Sequence, residues 1–171
     1  MSLRTFLFGK DVDNNKGRPT KKWSDLYKVL FGENVSNGEF YSDKEIIGHC
    51  KQYIEVANNV LHSCVEKMSK THTPKVFFDS AQYAETMLRG VIVIEKYYPR
   101  LVKNAAKDLN DFLALRAQYF YAFADRFFVK VEKEFKQSQN RGRAELSRLA
   151  VYEKEMLPEE RQYYTDKKSK L

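Results

Sequence analysis

The sequence is poor in the residues that stop helices, and it has no uninterrupted apolar run long enough to cross a membrane. Only 7 of its 171 residues are glycine and 4 are proline, whereas 31% are charged. Glycine and proline are the residues least compatible with a helix interior, so this composition favours an all-helical chain. Arg116, Asp125 and Arg126 interrupt the most apolar window, which excludes a transmembrane span there.

Cysteine is also scarce. The two cysteines, Cys50 and Cys64, lie on one predicted helix, and at 1.5 Å per residue they are about 21 Å apart along its axis. That separation excludes a disulfide between them. Both fall on an apolar stripe and are predicted to be core residues in a reducing compartment. Because the apolar run Phe6–Phe8 is too short for a secretory signal, we predict a cytoplasmic protein.

Motifs for catalysis and for metal or nucleotide binding are missing as well. The sequence contains no phosphate-binding loop, no dinucleotide-binding glycine pattern and no Gly-x-Ser-x-Gly elbow. Its three histidines, His49, His62 and His72, form no Glu-x-x-His pair of the kind that di-iron bundles use. We therefore predict neither a cofactor nor a metal site, and we favour a function other than catalysis.

What the sequence does contain is helical periodicity. We predict an all-α fold, an antiparallel bundle of three long helices with shorter N- and C-terminal helices. The chain is short enough for a single domain overall. Within it, residues 1–41 are predicted to be an N-terminal arm with one short helix, and residues 42–171 to be the bundle. The short helix is expected from Ser24, as its N-cap, to Phe31.

The three long helices have recognisable ends. Ser42 and Glu45 form a capping box that starts the first, which is expected to end near Ser69. The second starts between Thr73 and Ser80 and ends at Pro99, because the residue before a proline disfavours helical geometry. The remaining helices are predicted at residues 100–139, 143–156 and 158–164.

Two glycines carry specific expectations. Gly90 lies inside a helical pattern, where it costs stability relative to alanine, so we predict close packing of another helix against it. Gly32 follows Leu30-Phe31 as Gly9 follows Leu7-Phe8. This similarity fits chance, or two helix ends that both stop at a glycine.

The segment from Phe112 to Phe135 holds eight aromatic residues on more than one side of a helix. The first side is interpreted as core. A second row repeats every seven residues and consists of Tyr121, Phe128 and Phe135. We predict this row to be an interface for a protein partner or a second copy, because tyrosine and phenylalanine are enriched at such surfaces. Cover by other helices of the same chain is the alternative.

The positive charge is concentrated late in the chain. The net charge is +7, and residues 99–171 hold 16 basic and 11 acidic residues. A solvated surface accounts for this excess, and so does contact with an anionic partner such as nucleic acid. The candidate anion contacts are Arg116, Lys130, Lys133, Arg141, Arg143 and Arg148.

Three functions are compatible with these patterns. The first is a non-enzymatic helical protein that acts through self-association or protein–protein contact. The second is a basic accessory protein that binds nucleic acid non-specifically. The third is a small-molecule binder or enzyme with a pocket near Arg116 and Asp125, because charges inside an aromatic block often mark sites.

Overall fold

The computed structural model describes residues 21–32 and 42–171, and this part of the chain is all-α. Its helices are α1 (Lys21–Phe31), α2 (Asp43–Lys70), α3 (Pro74–Tyr97), α4 (Ala105–Gln137), α5 (Gln139–Ala150) and α6 (Pro158–Lys168). A short 3-10 helix, Glu153–Glu155, precedes α6. The predicted fold class and its three long helices are confirmed, whereas the antiparallel order stays a prediction.

Most of the predicted N-terminal arm, residues 1–20 and 33–41, lies outside the described residues, and so does the expected helix end at Gly9. The division into an arm and a bundle therefore stays a prediction.

The first helix begins earlier than its predicted N-cap. It starts at Lys21, one turn before Ser24, so the prediction that Ser24 caps it is wrong. The longer helix places Trp23 on the same face as Leu26 and Tyr27, and all three side chains are buried. Gly32, the residue after the end of α1, has a positive φ of 68°. This confirms that the helix stops at a glycine.

The capping signals of the next helices are confirmed. The Glu45 carboxylate accepts a hydrogen bond from the Ser42 amide at 2.7 Å, and Ser42 Oγ accepts one from the Glu45 amide at 3.4 Å. Pro74 is the first residue of α3, where its missing amide proton is not needed. The helix ends at Tyr97, before Pro99, as expected.

Several later boundaries differ from the predictions. The helix α5 ends at Ala150 and not at Met156, and α6 continues to Lys168 and not only to Tyr164. The helix α4 begins at Ala105 and not at Arg100, because Asn104 has a φ of 63° and Glu95 accepts the Ala105 amide proton at 3.0 Å. The helix α5 begins at Gln139, four residues before the expected start. Ser138 is the N-cap of α5, and its Oγ accepts the Arg141 amide proton. Only this one residue therefore separates α4 from α5.

The described residues divide into two compact units. The first comprises residues 21–32, 42–59 and 86–108. Its core consists of Trp23, Leu26, Tyr27, Ile46, Cys50 and Ile94. Close packing at Gly90 is confirmed in this unit. A Cβ atom there would lie 2.1 Å from Oη of Tyr53, which donates a hydrogen bond to the Met87 carbonyl at 3.4 Å.

The second unit comprises residues 60–85 and 109–171, and phenylalanine rings form its core. Phe77 stacks on Phe123 with their centroids 4.9 Å apart and meets Phe120 edge-on at 5.6 Å. Phe78 stacks on Tyr152 at 4.7 Å. The predicted core side of the aromatic segment is therefore confirmed.

Both cysteines are free and buried, which confirms the core assignment. Burial raises the pKa of Cys50 to about 11 and also raises the pKa of Cys64. Among the described residues, no helix is both long and apolar enough to cross a membrane.

Candidate functional site

The predicted interface row on α4 is covered from within the second unit. Phe128 is 2% exposed and packs against Phe127 and against Tyr164 of α6, whose ring centroid is 6.1 Å away. Tyr121 is half-buried, with the ring of Tyr163 at 4.7 Å. The helix α6 therefore lies over the part of the row that was expected to face a partner.

The last residue of the row is covered by α5. Phe135 is half-buried, and its ring lies directly against Gly142. A Cβ atom on Gly142 would come within 2.2 Å of that ring, so only glycine leaves room for it. The sequence signal for this contact was Gly142 itself, the fourth residue of α5, which lies between the helices predicted at residues 100–139 and 143–156.

Arg116 is an anion contact, but its anion belongs to the chain. Its Nε and Nη2 donate to the two carboxylate oxygens of Glu160 at 2.9 and 3.0 Å. Nη2 also donates to the Glu155 carbonyl at 2.9 Å. Arg116 is 5% exposed and Glu160 is fully buried. The guanidinium thus holds α6 against α4 and is closed to an external anion.

Asp125 is also engaged by α6. Its carboxylate accepts hydrogen bonds from the Tyr163 hydroxyl at 2.7 Å and from Lys167 Nζ at 2.6 Å. The bond from Lys167 lowers the pKa of Asp125, and the Tyr163 bond lowers it further. Arg126, the next residue, donates to the carbonyls of Ser69 and Thr71. The polar groups predicted to form a pocket near Arg116 and Asp125 make intramolecular contacts instead.

Four of the remaining basic candidates gather where α4 and α5 meet, and we call this surface the α4–α5 seam. Glu145 accepts from Lys130 Nζ at 2.6 Å and from Arg148 Nη1 at 2.9 Å. Arg141 Nη1 donates to the Gln137 side chain of α4. Arg141, Glu145 and Arg148 share one flank of α5 by their spacing of four and three. Lys133 is exposed one turn from Lys130.

Arg143 does not join the seam. It follows Arg141 by two residues, so it projects about 200° further round the helix axis. The six predicted anion contacts are therefore split into three groups by the structure. Arg116 is buried against Glu160, Arg143 lies on another side of α5, and the other four border the seam.

The outward side of α4 carries a feature that was not predicted from the sequence. Between Asp111 and Asp125 the exposed residues of the helix are Ala114, Leu115, Gln118 and Ala122. We call these four residues the α4 stripe. Arg116 is the only charged residue in this interval, and it is buried. The missing information was the direction of Arg116, because an exposed arginine would have given the stripe a charge.

No metal centre is formed by the described residues, which contain no group of three or more metal-binding side chains. Comparisons of the chain with family models, with curated proteins and with solved structures found no match.

Proposed function

We propose that the protein is a non-enzymatic helical protein that acts by self-association, and that two copies meet through the α4 stripe. The observation that carries this proposal is the absence of exposed charge along α4 between Asp111 and Asp125. This interval covers about 21 Å of helix at 1.5 Å per residue. Protein interfaces are depleted in charge at their centres, whereas 31% of this chain is charged.

The net charge of the chain favours contact between two copies at the α4 stripe rather than at a charged part of the surface. At a net charge of +7, two copies of the chain repel each other as they approach. The four residues of the α4 stripe carry no charge, so within the stripe itself a second copy meets no charged side chain. Ala114 and Ala122 are exposed and small, so the backbones of two helices can approach closely. Tyr121 of the predicted interface row remains half-buried beside the stripe and widens it.

One helix face makes a small interface, so we expect a weak dimer that dissociates on dilution. Sedimentation velocity over a series of protein concentrations tests this. The substitutions Ala114→Glu and Ala122→Glu place carboxylates at the centre of the contact and should each abolish the dimer. Ala144→Glu is the matched control, because Ala144 is an exposed alanine on α5.

The control also separates a local effect from a change in net charge. Each glutamate lowers the positive charge of the chain, which by itself reduces repulsion between copies. Loss of the dimer in the stripe variants, with the dimer retained in Ala144→Glu, therefore supports the α4 stripe. A wild-type chain that sediments as a monomer at every concentration overturns the proposal.

A further inference from the structure

We infer that the α4–α5 seam binds the phosphate backbone of duplex nucleic acid without sequence preference. This is independent of the self-association proposed above, because it rests on other residues. The seam carries four cations, Lys130, Lys133, Arg141 and Arg148, against two carboxylates, Glu134 and Glu145. Neutralisation of phosphates by lysine and arginine is the main source of non-specific affinity for nucleic acid.

The arrangement of Glu145 makes the seam more positive towards solvent than its composition suggests. The Glu145 side chain is 9% exposed, whereas those of Lys130 and Arg148 are 42% and 66% exposed. The buried carboxylate of Glu145 therefore holds Lys130 and Arg148 in place while both remain accessible to solvent. Because Lys130 and Arg148 are already held in place by Glu145, their side chains lose less conformational entropy when they bind a phosphate.

The surroundings of the seam favour a duplex over a single strand or a membrane. Single strands are usually held by exposed aromatic rings, and the only aromatic residue between 129 and 150 is the half-buried Phe135. Membrane-surface helices insert a broad apolar face, and Val129 is the only large hydrophobic residue exposed in this range. Contact with a regular array of phosphates requires neither feature.

Fluorescence anisotropy with two labelled duplexes of unrelated sequence tests the inference. We expect both duplexes to bind equally at low salt. Four phosphate contacts predict a slope of log affinity against log salt of about −3.6. In the double variant Lys133→Gln/Arg141→Gln, we expect the slope to become less negative by about 2. At an ionic strength of about 0.1 M, we expect the affinity to fall about eightfold for each contact that is removed.

Two further variants keep the test decisive. The charge-matched control Lys67→Gln/Lys154→Gln removes two exposed lysines of the same unit and should bind like the wild type, apart from a small general effect. The charge-preserving variant Lys133→Arg/Arg141→Lys should also retain binding. The inference is overturned if the control loses as much affinity as the seam variant, or if the wild type binds no duplex at low salt. Binding to phosphatidylserine vesicles but not to duplexes overturns it as well.

Discussion

Arg116 of α4 and Glu160 of α6, 44 residues apart in sequence, form a buried ion pair joined by two hydrogen bonds. The pair turns an anion contact predicted from sequence into the attachment of a helix. Glu160 also accepts the amide proton of Leu157 at 2.9 Å, so the same carboxylate caps α6.

Removing one member of this pair should strongly destabilise the protein. Glu160→Ala removes both hydrogen bonds from the buried Arg116 guanidinium to a carboxylate and leaves it, as a carboxylate contact, only the longer one to Glu85, 3.7 Å from Nη1. We expect this variant to lower the free energy of unfolding by about 3–5 kcal/mol. The double variant Arg116→Met/Glu160→Leu replaces the pair with apolar groups and should cost much less. Urea denaturation followed by circular dichroism measures both. Equal costs for the single and the double variant would contradict the role given to this pair.

Gly90 should not tolerate a side chain. A Cβ atom there would overlap the ring of Tyr53, and we expect Gly90→Ala to cost about 1–3 kcal/mol. Gly48 is the matched control, because it lies inside α2 with nothing within 4 Å of its added Cβ. Gly48→Ala should stabilise the protein by about 0.5–1 kcal/mol. Thermal melting compares the two, and in a Tyr53→Leu background the cost of Gly90→Ala should largely disappear.

The contact between Asp125 and Lys167 should make stability depend on acid. In the folded protein the pKa of Asp125 lies below the ordinary value of 3.8. The contribution of Asp125 to the free energy of unfolding is therefore complete at higher pH and is lost as the pH falls through the folded pKa. The Asp125 side chain is about half exposed, so we expect under about 1 kcal/mol. The stability difference between wild type and Asp125→Asn should be constant near neutral pH and shrink below about pH 4. A stability difference that grows on acidification would show that folding raises the pKa of Asp125, and would contradict this prediction.

Neither cysteine should react while the protein is folded. Both thiols are buried and their pKa values are raised, to about 11 for Cys50, so little thiolate is present at neutral pH. Labelling with iodoacetamide, read by mass spectrometry, should modify both residues in urea and neither in buffer. Rapid modification of Cys50 in buffer would show that the core of the first unit opens readily.

The sequence predicted those features of the fold that depend on local chemistry. The Ser42–Glu45 capping box, Pro74 as a first helical residue and the break before Pro99 each depend on a few neighbouring residues, and the structure has all three. Gly90 was also predicted correctly, because a glycine within a helix needs a reason from packing. Its partner, Tyr53, could not be named without the structure.

The features that could not be predicted depend on partners distant in sequence. The amide of Ala105 is bound by Glu95 across a turn, which delays the start of α4. Phe128 and Arg116 are covered by residues of α6, and one-dimensional periodicity does not show which helix packs on which face. The α4 stripe was hidden for the same reason, since only the inward direction of Arg116 leaves that side of the helix uncharged.

Disulfide trapping tests self-association through the α4 stripe most directly. Gln118 lies at the centre of the stripe, and near a two-fold axis a residue faces its own counterpart. The buried native cysteines contribute little background. Under mild oxidation, the Gln118→Cys variant should form a cross-linked dimer on a non-reducing gel. The Gln52→Cys variant, which alters an exposed glutamine of α2, should not. Equal cross-linking of the two variants, or none in either, would contradict the account.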